Sequence, residues 1–220
     1  MNEALAIRPF NKRNAISFTL AGIALLVLAF WLFVGARGLF APGLVCFTLG
    51  AIALILGGSK LAEPEISFEL TSDGLLFVHR KGQLGIAWDN IQRVDVVRVT
   101  QGMELTELPY VGVRLRQLNP VLDCISPRLA TGFVSEQRPL LMTAVGQLDE
   151  LDTLEQQLSA EFTPLIINGE RYRGVLAMFG HRCELLNRAL GYHIYLPADS
   201  LDRSPEEFVS LLRGYLQPRL

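Results

Sequence analysis

The side chains best suited to chemistry in this 220-residue chain are His181, Cys183 and His193, with His79 standing apart from them. A zinc site needs three or four such ligands at a familiar spacing. His181-Arg182-Cys183 offers two ligand types two residues apart, and on a helix residues two apart do not face each other. The expectation is a half-exposed His181, a core Cys183 and no metal. His79 alternates within a strand and reads as a surface side chain. No G-x-S-x-G, H-E-x-x-H or G-x-x-x-x-G-K-[ST] run occurs, so the familiar hydrolase and nucleotide-binding signatures are absent. The acid pairs Asp149/Glu150 and Glu206/Glu207 fall where one helix begins and another is capped. The chain is therefore expected to be a non-enzyme, with no catalytic, cofactor-binding or metal residues and no cofactor.

Phosphate recognition would need clustered Lys and Arg. The turn Thr71-Ser72-Asp73-Gly74 carries an acid and no base, and the next turn offers only Arg80 and Lys81. At about 1 kcal/mol per basic residue near an anionic surface, that is little. Residues 61–220 hold fifteen Lys and Arg against twenty-one Asp and Glu. A balance this acidic gives no footprint for nucleic acid and would be repelled by anionic lipid. Of three cysteines, Cys46 lies in an apolar run, leaving Cys124 and Cys183. That is no disulfide framework, and it fits a reducing compartment.

Two apolar runs dominate the elements around these groups. Residues 15–35 (AISFTLAGIALLVLAFWLFVG) and 39–58 (LFAPGLVCFTLGAIALILGG) contain no charged side chain. Each gives about 30 Å of helix, the thickness of a bilayer's hydrocarbon core. Neither shows the polar stripe of a soluble helix. A cleaved signal peptide would have a shorter apolar stretch and would leave the second run unexplained. Only Ala36-Arg37-Gly38 separates the runs, so the helices form an antiparallel hairpin. Arg8, Lys12, Arg13 and Lys60 flank it while Arg37 alone marks the tip, which places both termini in the cytoplasm. Gly22, Gly43, Gly50, Gly57 and Gly58 permit close helix approach, within the hairpin or with another membrane protein.

Pro64 ends the second helix, and the period then changes from helical to alternating. Strands are expected over 66–70, 75–80, 84–88, 91–100 and 110–118, joined by glycine turns in an antiparallel meander. Ser126-Pro127 starts a short helix through Phe133. Arg138–Val145 reads as a strand, and Leu148, Leu151, Leu154 and Leu158 mark an acidic amphipathic helix. A helix over 173–190 stops at Gly191, and Tyr192–Leu196 forms a strand. Ser204-Pro205-Glu206-Glu207 is a capping box opening a final helix with Phe208, Leu211, Leu212, Tyr215 and Leu216 on one face. The elements after Pro64 are expected to bury their own core.

The segment ELTSDGLLFVHRKGQLGIAWDNIQRVDVV resembles the core of bacterial pleckstrin-homology-like (PH-like) domains attached to membrane hairpins. The matching positions are Thr71, Gly74 and Leu75 of a T-x-x-G-L turn, then Ile86, Trp88 and Ile91 of an I-x-W-x-x-I segment. YHIYLPADSLDRSPEEFVSLLRGYL is similar to the closing strand and capping helix of that group, and two spans precede the domain as in YcxB-like proteins and related families of unknown function. The resemblance covers about residues 65–118 and 192–217, leaving 119–191 as an insertion. It implies an α+β fold: a cytoplasmic segment 1–14, a transmembrane helical hairpin over 15–58 in the bacterial inner membrane, and a cytoplasmic PH-like antiparallel β-sheet domain over 65–220 capped by a C-terminal helix. It implies no reaction.

The functional expectation is a membrane-anchored docking or scaffold module whose partners are the bilayer and an unidentified protein, with no nucleic acid and no small-molecule substrate. The alternative is an accessory or regulatory subunit of a membrane enzyme or transport assembly. Phe133, Leu140, Leu141, Leu165, Ile166 and Ile167 supply apolar surface in the insertion, either for a partner or for a larger core. The topology is testable in a chain without its native cysteines. Single cysteines near residue 5 and near residue 150 should resist an impermeant thiol reagent in intact cells, and one at Gly38 should react. Labelling near residue 150 in unbroken cells would overturn the orientation.

Overall fold

The computed structural model describes residues 5–9, 15–35, 39–61, 64–101, 104–146 and 163–216. The hairpin tip at 36–38 and the amphipathic segment holding Leu148 to Leu158 lie outside the described residues. The chain forms two compact units, one of Pro9–Glu65 and one of Met1–Arg8 with Ile66–Leu220.

The first unit is a pair of helices, α1 (Ala15–Gly35) and α2 (Phe40–Leu61). Both are long and apolar enough to span a membrane. The second runs three residues past the expected end at Gly58, taking in Lys60. Thr48 turns its hydroxyl back onto the carbonyls of Leu44 and Val45, and Ser59 onto that of Leu56, which satisfies these groups within the helix. Gly43, Gly50 and Gly57 recur every seven residues and are buried. A Cβ on Gly57 would stand 2.8 Å from the Thr19 nitrogen, and one on Gly22 would stand 2.9 Å from that of Leu54. Side chains at these points would force the helices apart, so four of the five glycines serve the hairpin's own packing. Gly58 faces open space.

The second unit contains two main antiparallel sheets. The first has the order β1 (Leu5–Ile7), β2 (Phe68–Leu70), β3 (Gly74–His79) and β4 (Gly82–Ala87). Thr71 closes the β2–β3 turn, its hydroxyl donating to the Gly74 carbonyl at 2.9 Å and accepting from the Gly74 N–H at 3.1 Å. A 3-10 turn over Trp88–Asn90 leads to the second sheet, β5 (Ile91–Gln101), β6 (Glu104–Leu115) and β9 (Ile194–Pro197). The indole N–H of Trp88 donates to the Thr71 carbonyl at 3.0 Å, and its ring stacks on Tyr215 at 5.4 Å. One long meander was expected. The pairing breaks after β4 instead, and a strand from the N-terminal segment joins the first sheet.

Between β6 and β9 the chain forms α3 (Asn119–Cys124), α4 (Pro127–Glu136), α5 (Arg138–Val145), a hairpin of β7 (Leu165–Ile167) with β8 (Glu170–Tyr172), and α6 (Val175–Leu190). Ser126 caps α4, accepting from the Leu129 N–H at 3.2 Å, and Gly191 ends α6 in the left-handed region at φ 87°. Arg138–Val145 is a helix, not the expected strand. Pro139 sits in the first turn of α5, and Leu140, Leu141 and Ala144 fall on one helical face, which is buried. A short apolar run does not by itself distinguish the two periods. The last helix, α7 (Pro205–Leu216), is capped as expected, with Ser204 accepting from the Glu207 N–H at 3.3 Å. Its Arg213 donates to the Val94 carbonyl at 3.2 Å and pairs with Asp95 at 2.9 Å, blunting the open edge of β5.

Alternation along the second sheet builds two cores. Val94, Val96, Val111, Val113, Ile194 and Leu196 enter the main core, which also takes the first sheet, α4, α6 and α7. Val97 and Tyr195 face the other way, into a smaller core with Leu140, Ala144, Leu186 and Tyr192. Tyr192 packs over Gly112, where any Cβ would strike its ring, and the Arg93 guanidinium lies over the same ring, 4.9 Å from its centre. Of the apolar groups named in the insertion, Phe133, Leu140, Leu141 and Leu165 are buried and Ile167 is half-buried, while Ile166 is 68% exposed. The main core also contains Ile7, so residues after Pro64 do not complete it alone.

Five phenylalanines from five elements run through the main core. Phe208 meets Phe68 at 5.4 Å, Phe68 meets Phe77 at 4.8 Å, and Phe133 meets Phe77 and Phe179 at 5.6 Å each. Phe77→Ala should lower unfolding stability by about 3–5 kcal/mol in denaturant titration. Phe30→Ala, on an exposed face of α1, should leave that transition within about 0.5 kcal/mol of the parent.

Candidate functional site

The residues singled out for metal chemistry have separate partners. Cys183 is buried in the main core, and burial pushes its thiol well above the ordinary range. His181 lies toward solvent, its Nε2 3.2 Å from the Thr163 carbonyl. His193 is buried, and its Nδ1 accepts the Leu115 N–H at 3.0 Å. That bond places the ring proton on Nε2 and lets the histidine serve as an extra rung beside β6 and β9. Burial first, and Arg114 second, push its pKa down to about 4. Among the described residues no cluster of three or more His, Cys, Asp or Glu could hold a metal ion.

A second cluster forms where β3 turns into β4. The Glu136 carboxylate is met there by Lys81 Nζ at 3.0 Å, by His79 Nε2 at 3.5 Å and by Arg80 at 3.9 Å. The Lys81 N–H donates to His79 Nδ1 at 3.3 Å, so Nε2 carries the proton that faces the carboxylate. Glu136 stands at the C-terminal end of α4, where the helix dipole disfavours an acid. Three basic groups from one turn offset that cost and tie the helix to the first sheet. His79 is thus less exposed than its alternation suggested, with its ring 6.4 Å from Phe133.

A third cluster was missed by sequence reasoning. Asn168-Gly169 forms the two-residue turn between β7 and β8, with φ of 51° and 84°. This is the type I′ geometry that Asn-Gly favours, and that dipeptide between apolar and mixed segments is the signal that could have found it. The turn carries Glu170 and Tyr172 back to α3. Asn119 Nδ2 donates to the Ile167 carbonyl at 3.1 Å and to Glu170 at 2.9 Å, while its Oδ1 accepts from Asn168 at 2.8 Å. The Tyr172 hydroxyl lies 2.6 Å from Glu170 and 2.9 Å from Asp123. One phenol proton serves two carboxylates. Burial, then Glu170 and Asp123, raise the tyrosine well above its usual range, and Tyr172 and Asn119 hold Glu170 below the usual carboxylate range. This network can hold a proton among three oxygens. It also fastens the hairpin to α3.

These features define a class: two apolar helices long enough to span a membrane, joined to an α+β domain of two antiparallel sheets closed by a C-terminal helix. The chain belongs to the family described as protein of unknown function (DUF2982), which matches residues 68–218. No curated protein and no solved structure matches it.

His193 gives the domain a built-in acid sensitivity. The unfolded chain takes up this proton near the ordinary value of 6.5, whereas the folded chain does so only near 4. The resulting stability is whole above about pH 6.5 and is lost as pH falls toward 4, a contribution on the order of 3 kcal/mol. His193→Asn, which keeps an acceptor near Nδ1, should flatten that part of the pH profile in thermal or denaturant unfolding. An unchanged slope would show that other groups carry the acid sensitivity.

Proposed function

We propose that this protein is a docking module anchored in the bacterial inner membrane. In this reading α1 and α2 cross the bilayer as a hairpin, both termini are cytoplasmic, and the PH-like domain receives a protein partner. Four basic residues flanking the hairpin against one at its tip favour that orientation. The four-stranded and three-stranded sheets with a closing helix support the PH-like assignment.

The observation that carries the docking reading is the selective exposure of apolar side chains in the insertion. Among its described residues most large apolar groups are buried, yet Met142 on α5 and Ile166 on β7 are 62% and 68% exposed. The basic turn does not favour a lipid headgroup, because Glu136 already occupies it. The alternative, an accessory subunit that uses the hairpin as its contact surface, gains nothing from Gly22, Gly43, Gly50 and Gly57, which face within the hairpin.

Photo-crosslinking residues placed at Met142 and Ile166 in living cells should trap a common protein. Changing both positions to serine should reduce its recovery at least tenfold with no shift in the domain's thermal transition. Salt-sensitive sedimentation with anionic vesicles, unaffected by those changes, would favour a lipid-binding module and defeat this reading.

A further inference from the structure

The first sheet contains a strand from the other side of the helical hairpin in sequence. Leu5, Ala6 and Ile7 pair with Leu70, Glu69 and Phe68, and the Ser67 N–H donates to the Ile7 carbonyl at 2.9 Å. Ile7 is fully buried and joins the same core as Phe68. The two helices are thus an insertion between neighbouring strands of one sheet, and the matched family region at 68–218 begins after them.

The connections are short. Seven residues, 8–14, link β1 to α1, and six residues, 62–67, link α2 to β2. Fully extended they reach at most about 25 Å and 22 Å, less than the ~30 Å hydrocarbon core. They also carry Arg8, Lys12, Arg13, Glu63 and Glu65, which oppose burial in lipid. Neither connection can cross a bilayer.

We propose that β1 is a clasp that makes folding of the domain conditional on α1 and α2 crossing the membrane as a pair. With one crossing, β1 and β2 would lie on opposite faces. The edge of β2 would then stay open and the place of Ile7 would stay empty. With two crossings, the strands meet and the sheet closes. The clasp therefore selects the hairpin topology by a route independent of the Lys and Arg count. It rests on the membrane reading of the two helices.

The test uses the full chain in isolated membranes, with Cys46, Cys124 and Cys183 changed to alanine and with Ala6→Cys and Glu69→Cys introduced. Directly opposed antiparallel residues have Cα atoms about 4.5–5.5 Å apart, inside the range a disulfide bridges. Mild oxidation should link most chains internally, seen as one peptide joining positions 6 and 69 by mass spectrometry. Linkage only between chains, or no linkage in a chain whose domain resists protease, overturns the clasp. Ile7→Asp should abolish protease resistance of the domain and make a cysteine at Gly38 react from both faces of the membrane, whereas Ile7→Val should retain both wild-type behaviours. One-sided labelling of Gly38→Cys in the Ile7→Asp chain would show that β1 does not influence topology. Carbonate extraction of the unsubstituted chain tests the membrane reading separately. Release of the protein sinks that reading together with this one, and retention without the 6–69 link sinks the clasp alone.

Discussion

The domain depends on a line of phenylalanines in ring-to-ring contact. Phe208, Phe68, Phe77, Phe133 and Phe179 come from α7, β2, β3, α4 and α6, with successive ring centres 4.8–5.6 Å apart. Each is buried. Aromatic pairs of this kind contribute beyond the area they remove from water, and here they join elements that are distant in sequence. The line makes the insertion part of the fold, because Phe133 and Phe179 lie within 119–191 while Phe68 and Phe77 lie in the first sheet. Removing the insertion would take Phe133, Phe179 and their buried neighbours out of the main core, not a peripheral loop.

The second sheet adds a further reason for the insertion's length. Its strands alternate side chains to two faces, and both faces are apolar. The first sheet and α7 cover one. Leu140 and Ala144 of α5 and Leu186 of α6 cover the other. A sheet with two apolar faces requires a third layer, and the insertion supplies it. Polar groups then fix its position: Glu136 is held by His79, Arg80 and Lys81, and Asn119 holds the turn between β7 and β8. These networks have the composition of reactive sites, but every described member is engaged in holding one element against another.

The helical hairpin follows a different logic. Between apolar helices in lipid there is little hydrophobic driving force for association, and close backbone approach becomes the favourable contact. Gly43, Gly50 and Gly57 place that approach on one face of α2, and Gly22 supplies it from α1. Large side chains such as Phe30, Trp31 and Ile55 point outward. An all-round apolar surface accompanies the length that makes both helices able to span a membrane.

Residue order alone determined what depends on near neighbours. The uncharged runs gave both long helices, with the bounds of α1 matched to the residue. Ser126-Pro127, Ser204-Pro205 and Gly191 marked helix ends, because capping uses groups within a few residues of one another. The half-exposed His181 and core Cys183 followed from helical spacing. Tertiary structure decided the rest. Three residues are too few to declare a strand, and Leu5–Ile7 becomes one only because Phe68–Leu70 presents its edge. Arg138–Val145 carries an apolar pattern compatible with either period, and its helical form depends on the sheet face it covers. Asn119, Asp123, Glu170 and Tyr172 meet across about fifty residues. No local periodicity encodes that meeting, since it is set by chain path and burial, which arise only when the core closes.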